Sequence, residues 1–450
     1  MRLPRLLHQT VRHFFPELNS WLDALPDARL QEAIVYPRRF LAWWGLGLFL
    51  FQLGSRRSLD TDLSPDSCAL DNFNRLAGTE MKTRPVHDTL DYFLGKTQPE
   101  GFATLRRRMI RQLIRNKVLD AARVQGYVRA VLDGTGHHVF HERHCEHCLV
   151  QQHEHYTLYL HKVLEVKLLG PGGLALSCGN EFIHNADDPQ IGTPEQRKQD
   201  CELKAFDRLA VQLKKDYPQT RLCLSGDSAF GCGRFFAGCK KHGWSFLAVF
   251  KPGRAPALYQ EFQALLAASP ENRLERRLAG GVRRVYRWVE GLPYEDSEGR
   301  KWMLNALECK ETVGGVTTTF AFVTDLRVNV ATVEEVTQSG RDQWKIENEG
   351  FNRQKNSGMN LEHVYTHDPD KLKAYYYLLQ IAHIILQLVE RGSLLRRLAA
   401  EYGQTVQGLF GSLKGLAKRL LEGIRGAAVV AEDSAAEAVG QIRLDYWNSS

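Results

Sequence analysis

The chain has 450 residues, of which 43% are hydrophobic, so a large core can be buried and a globally disordered chain is excluded. That length allows two to four structural units, and a net charge of +7 is compatible with a nucleic-acid partner without demanding one. Nine cysteines, mostly single and scattered, argue against a secreted disulfide framework.

The opening Met1-Arg2-Leu3-Pro4-Arg5 is not followed by an apolar core and small-residue cleavage site, so no signal peptide is expected. The apolar run from Phe40 to Leu53 is about fourteen residues, short of the roughly twenty that cross a bilayer. Ser55-Arg56-Arg57 follows at once, which predicts a buried core helix, no membrane partner and a cytoplasmic protein. Residues 1–125 read as helical and basic. Leu105, Met109, Leu113 and Ile114 recur at helical spacing, and Arg106, Arg107, Arg108, Arg111, Arg115 and Lys117 fill the positions between. Such a stripe is either a solvated helix face or a helix that contacts phosphates.

At Tyr127 the pattern changes. Tyr127 to Leu132 is strand-like and ends in Asp133-Gly134-Thr135-Gly136. Strands are expected over Tyr156–Leu168 and Leu174–Ile183, joined at the turn Pro171-Gly172-Gly173. A helix over Lys198–Lys215, a strand over Arg221–Ser225 running into Gly226-Asp227-Ser228, a helix over Cys232–Lys241 and a strand over Trp244–Phe250 follow. The order strand, strand, strand, helix, strand, helix, strand is the ribonuclease H-like arrangement of an α/β mixed sheet flanked by helices. Residues 126–254 are the first part of that core. Residues 255–320 read as a β-rich insertion, with strands over Val282–Val289, Trp302–Leu307 and Val316–Val323 and a turn at Asp296-Ser297-Glu298-Gly299. Residues 321–395 are the second part of the core, and 396–450 a helical C-terminal region that includes a small-residue linker, Ala427 to Ala438.

Asp133 and Asp227 end strands that are neighbours in this sheet, and small residues follow each of them. Alone, an Asp after a strand is more often a turn or cap residue. The third element is Trp344-Lys345-Ile346-Glu347-Asn348-Glu349-Gly350-Phe351-Asn352-Arg353-Gln354-Lys355. On an α-helix, Glu347, Phe351 and Lys355 share one face. The alternative is a surface helix with i,i+4 charge pairs.

The three stretches Leu132-Asp133-Gly134-Thr135, Leu224-Ser225-Gly226-Asp227-Ser228 and Trp344-Lys345-Ile346-Glu347-Asn348, in this order and spacing, resemble the signature of bacterial insertion-sequence transposases of the DDE type. The resemblance covers residues from about 125 to 385. It is to the group in which Tyr, Arg, Glu and Lys recur around a Trp-x-Ile-Glu core. It implies a catalytic triad of Asp133, Asp227 and Glu347 holding two Mg²⁺ ions, with Mn²⁺ able to substitute. It also implies a homodimer acting on double-stranded DNA, the transposon terminal inverted repeats and a target. Asp133 would bridge both ions and the other two carboxylates would each support one. DNA contacts are expected from Arg106, Arg107, Arg108, Arg111, Arg341, Arg353 and Lys355. The chain departs from the group at three places: Gly340 stands at the Tyr position, Gln343 at the Arg position with Arg341 nearby, and Gln354 at the Lys position with Lys355 next to it. Glu349 is a rival for Glu347. A nuclease of the same fold without strand transfer, and an inactive DNA-binding descendant, are the alternative functions.

His137 to His155 holds seven of the sixteen histidines, together with Cys145-x-x-Cys148. This is metal-knuckle spacing, so the loop is either a structural Zn²⁺ site at Cys145 and Cys148 or a polar loop without metal. Asp200 reads as a helix cap or first-turn acid, with a place near the metal site as the alternative. Lys251-Pro252-Gly253-Arg254 reads as a turn, His363, Tyr365 and His367 as a surface loop, and Tyr375 to Leu388 as a core-packing helix.

Overall fold

The computed structural model of the chain describes residues 2–143, 145, 148–183 and 200–428. His144, Glu146, His147, Lys198, Gln199 and the linker from 429 onward lie outside the described residues. Two compact units divide the chain. One takes residues 119–170 and 179–348 and is built on a sheet, and the other takes 2–118, 171–178 and 349–428 and is mainly helical.

Among the described residues, ten strands form one mixed sheet. They are β1 (Val128–Phe140), β2 (Leu149–Gln152), β3 (Thr157–Leu169), β4 (Ala175–Ile183), β5 (Leu222–Gly226), β6 (Ser245–Val249), β7 (Arg273–Arg277), β8 (Arg283–Glu295), β9 (Lys301–Val313) and β10 (Val316–Thr324). Their order is β2-β3-β1-β5-β6-β10-β9-β8-β7, with β4 also paired to β3. β1 runs antiparallel to β3 and parallel to β5, β5 runs parallel to β6, and β6 meets β10 antiparallel. The mixed α/β class read from the sequence is present.

The parallel centre explains the composition of its strands. Val128, Ala130, Val131 and Leu132 on β1 and Leu222, Cys223 and Leu224 on β5 are buried, as near-continuous apolar runs in parallel strands generally are. The crossover from β5 to β6 is the helix Gly233–Lys241, which buries Phe235 and Phe236. Phe236 stacks on Phe246 of β6 with ring centroids 4.2 Å apart.

Two features differ from the sequence reading, and one extends it. β1 does not stop before Asp133 but continues to Phe140, so Asp133 is a mid-strand residue. Pairing with β3 out to Phe140↔Tyr159 carries the strand through Gly134 and Gly136, which by themselves disfavour it. The strands read as an insertion continue the central sheet: β10 bonds to β6, and Tyr286, Trp288, Leu307, Cys309 and Phe322 share one buried cluster with Cys223 and Leu247. Finally, the stretch read as a β-rich insertion opens with a helix, Pro256–Ala268, which carries Pro at its start and buries Phe262 and Leu266.

The helical unit is organised around two apolar helices. In the helix Arg38–Leu50 every residue from Phe40 to Leu50 is buried, the behaviour of a helix that is apolar on all sides. The helix Pro369–Arg391 packs against it and against the arginine-rich helix Pro99–Arg115. It is the one described helix long and apolar enough to cross a membrane, and 83% of its apolar window is buried inside the protein. Asp368 caps it, accepting from the N–H groups of Asp370 and Lys371, each at 3.0 Å. Tyr365, expected on a surface loop, is instead buried in this unit, stacked on Tyr375 at 5.1 Å and edge-on to Phe49.

Candidate active site

The parallel register of β1 and β5 pairs Val131 with Ser225. Asp133 and Asp227 each stand two residues beyond this last pair, and the charge of Asp227 acts on the Asp133 carboxyl. Asp227 leaves β5 at the last point of pairing and caps a short 3₁₀ turn, Ser228–Phe230, by accepting the Ala229 N–H at 2.8 Å. Its carboxylate is exposed, and Asp133 beside it is half-buried and accepts the Gly134 N–H at 2.8 Å.

Glu347 arrives from the other end of the unit. The helix Val333–Arg341 packs under the sheet through Val333 and Val336, which lie in the same buried cluster as Phe322 and Leu247. Asp342 at its end is ion-paired with Arg129 of β1, and both side chains are largely buried. This pair ties the segment leading to Glu347 to the strand that carries Asp133. The segment Ile346–Asn352 is a π-helix, a wide turn found often at functional sites, and Glu347 is exposed in its first turn. The wider turn removes the shared face expected for Glu347, Phe351 and Lys355. Phe351 is buried, whereas Glu347 is exposed and Lys355 is paired to Glu362 at 2.7 Å.

The electrostatics identify a fourth acid. Burial, then the negative charge of Glu202, then those of Asp227 and Glu347, push the Asp133 carboxyl up from 3.8 to about 7, against the opposing Gly134 N–H. Glu202 is itself raised above the ordinary carboxylate value, chiefly by burial and also by Asp227, with Lys162 pulling the other way. A Cβ on Gly134 would meet the Glu202 carboxylate, so the glycine after Asp133 leaves room for this side chain where it stands. Sequence reasoning missed Glu202, because an acid in the first turn of a helix has an ordinary explanation in the helix dipole. Asp200, its neighbour, is not the cap. Cys201 holds that position without a side-chain bond, and Asp200 is paired to Arg208 at 2.7 Å, with Glu181 on the same guanidinium at 2.6 Å.

The rival acid Glu349 is engaged by Arg353 at 2.7 Å and Arg391 at 3.3 Å. Arg353 also holds Glu390 at 2.7 Å, so it is a structural cation of the helical unit. Arg341 forks onto Glu311 at 2.7 and 2.9 Å and lies over the Phe320 ring. Arg106 is buried, donates to Ser177 at 2.9 Å and faces the Tyr377 ring, which corrects its reading as a phosphate contact. Arg107 donates to Thr104 at 3.3 Å, while Arg108 and Arg111 are exposed on the same helix. Lys251-Pro252-Gly253-Arg254 forms the expected turn, closed by the Arg254 N–H on the Lys251 carbonyl at 3.2 Å.

The positions that depart from the transposase signature have structural occupants. At Gly340 a Cβ would meet the Phe322 ring at 2.5 Å, so the helix approaches β10 too closely for a tyrosine. Gln343 is buried. Gln354 is fully buried and donates to Gln380 at 2.8 Å, with the His383 ring nitrogen at 2.9 Å, a setting that would leave a lysine charge inside the protein.

Asp133, Asp227, Glu347 and Glu202 supply only oxygen donors, whose mutual repulsion a hard divalent cation relieves. A second donor set, two thiols and an imidazole, lies at Cys145, Cys148 and His161. Neither the models of known protein families nor the curated proteins with which the sequence was compared give a match.

Proposed function

We propose that the protein is a metal-dependent DNA transposase of the DDE type with a ribonuclease H-like core, acting on the ends of its own element in the bacterial cytoplasm. The observation that carries the reading is that two carboxylates from separate parts of the chain lie within electrostatic reach of a third, Asp133. The charges of Asp227, after β5, and Glu347, after the helix beyond β10, both act on Asp133 in β1. The order β4-β3-β1-β5-β6, antiparallel on one side of β1 and parallel on the other, supports the ribonuclease H-like assignment.

The donor set of Asp133, Asp227 and Glu347 is all oxygen, the kind that Mg²⁺ prefers, and Mg²⁺ held there would supply charge stabilisation for an in-line phosphodiester displacement. The protein's own contribution is positioning. β1 and β5 fix two carboxylates by register, the Gly134 and Ala229 N–H groups orient them, and the Arg129–Asp342 pair anchors the approach to Glu347. Glu202 adds negative charge to the same site, and Lys162 balances part of it.

The test is cleavage of a duplex bearing the inverted repeats that flank the gene. Asp133→Asn, Asp227→Asn and Glu347→Gln each lower the rate by at least about a thousandfold with end binding retained, whereas Glu349→Gln leaves cleavage within a few-fold of the wild type. Wild-type cleavage by Asp133→Asn would overturn the assignment. A second reading, a nuclease that does not join strands, is favoured by the helix-packing Gly340 and the buried Gln354 at the signature's Tyr and Lys positions. Joining of pre-cleaved ends to a target plasmid separates the two.

A further inference from the structure

Beyond Asp133, β1 and β3 remain paired through His138↔His161 to Phe140↔Tyr159, and the chain then enters the histidine-rich loop before β2. Two thiols of that loop meet an imidazole of β3. Cys145 Sγ and Cys148 Sγ are 3.7 Å apart, and His161 Nε2 is 3.4 Å from the first and 3.5 Å from the second. Cys148 is fully buried. The thiols are not a disulfide, whose sulfurs would be about 2.05 Å apart.

These lengths match the edges of a metal tetrahedron. A zinc ion with Zn–S of about 2.3 Å and Zn–N of about 2.0–2.1 Å requires an S–S edge of about 3.8 Å and S–N edges of about 3.5–3.6 Å. We infer that Cys145, Cys148 and His161 are three ligands of a zinc ion that clips the loop onto the far end of the β1–β3 ladder. Thiolate and imidazole select zinc over Mg²⁺, so this centre is chemically distinct from the carboxylate cluster on the same strand. His161 stands outside the Cys-x-x-Cys loop, 13 residues beyond Cys148, and the ladder with β1 brings it back. Zinc has a mechanical role here. The sequence between β1 and β2, residues 141–148, consists of charged and imidazole residues and the two cysteines, so coordination does the work that a core would otherwise do. The inference stands whatever chemistry the carboxylates perform.

Zinc analysis of the full-length protein purified from zinc-supplemented cells tests it. About one equivalent per chain is expected, falling below about a tenth in Cys145→Ser, Cys148→Ser and His161→Asn. In the wild type, Cys145 resists a thiol reagent until a chelator is added, while the exposed Cys201 reacts at once and serves as the internal standard. Replacement by Co²⁺ gives thiolate charge-transfer and tetrahedral ligand-field absorption, a readout on wild-type protein that does not depend on any variant folding. Asp133→Asn keeps its zinc even where it abolishes cleavage, which separates the two metal questions. Zinc-free protein whose Cys145 reacts equally with and without chelator, or a Cys145–Cys148 disulfide in freshly purified protein, would overturn the site.

Discussion

At Asp133 the strand places a carboxylate where three other acids already sit. Burial and these charges lift it to about 7, so the folded, metal-free chain holds its proton well above the range in which an unfolded Asp would lose it. The stability that this proton contributes is complete below pH 3.8 and is lost as the pH rises through 7. Asp133→Asn has nothing to titrate. Thermal melts of metal-free protein therefore give the variant a midpoint roughly 2–4 °C above the wild type at pH 8, and no advantage at pH 4. Mg²⁺ raises the wild-type midpoint at pH 8 and leaves that of the variant nearly unchanged. Equal pH dependence in the two proteins would show that Asp133 ionises without strain. Glu202→Gln acts in the same direction by a smaller amount, because it removes the largest charge acting on Asp133.

Two elements carry separable predictions. The segment leading to Glu347 is held to β1 by Arg129 and Asp342, both largely buried. Removing Arg129 leaves the largely buried Asp342 only Lys345 at 3.2 Å and Gln338 at 3.0 Å, so Arg129→Met destabilises by roughly 2–4 kcal/mol in urea unfolding. The double replacement Arg129→Met with Asp342→Leu recovers most of that loss, since an apolar pair of similar size is commonly no worse than the ion pair. A double variant as unstable as the single would mean the segment is held elsewhere. The second element is the helix Pro99–Arg115. Its arginine row divides into an inward residue, Arg106, and outward ones, Arg108 and Arg111. Arg108→Ala with Arg111→Ala flattens the dependence of log affinity on log salt by up to about 0.9 for each phosphate left without its cation, and stability is unchanged. Arg106→Ala lowers stability instead. An unaltered salt slope in the double variant would remove this helix from the DNA interface.

At the scale of the whole sheet unit, the strands that read as an insertion share a core with the strands that carry the aspartates. Trp288 is buried in β8, yet it belongs to the cluster that holds Cys223 of β5 and Leu247 of β6. Trp288→Ala thus costs about 3–5 kcal/mol and exposes β5 and β8 amides to hydrogen exchange together. Exchange confined to β7, β8 and β9 would show a separately folding insertion. Excision of residues 273–313 would strip Tyr286, Trp288, Leu307 and Cys309 from the cluster that holds Phe322 and Leu247, so a soluble, cooperative deletion product is not expected.

The sequence by itself determined the period of most elements of the sheet and marked the carboxylates that stand after its apolar runs. The apolar runs before Asp133 and Asp227 and the Trp-x-Ile before Glu347 are local patterns, so they are legible wherever the chain goes. It also marked Cys145 and Cys148 by their spacing. Tertiary structure decided what those patterns leave open. Pairing with β3 carried β1 past two glycines, so Asp133 lies within a strand. Close packing on Phe322 allowed only glycine at position 340, and a buried amide network took Gln354. Glu202 and His161 joined the two donor sets from segments whose sequence reads as an ordinary helix start and an ordinary strand. Proximity between residues distant in sequence is a property of the folded sheet, and a one-dimensional period carries no record of it.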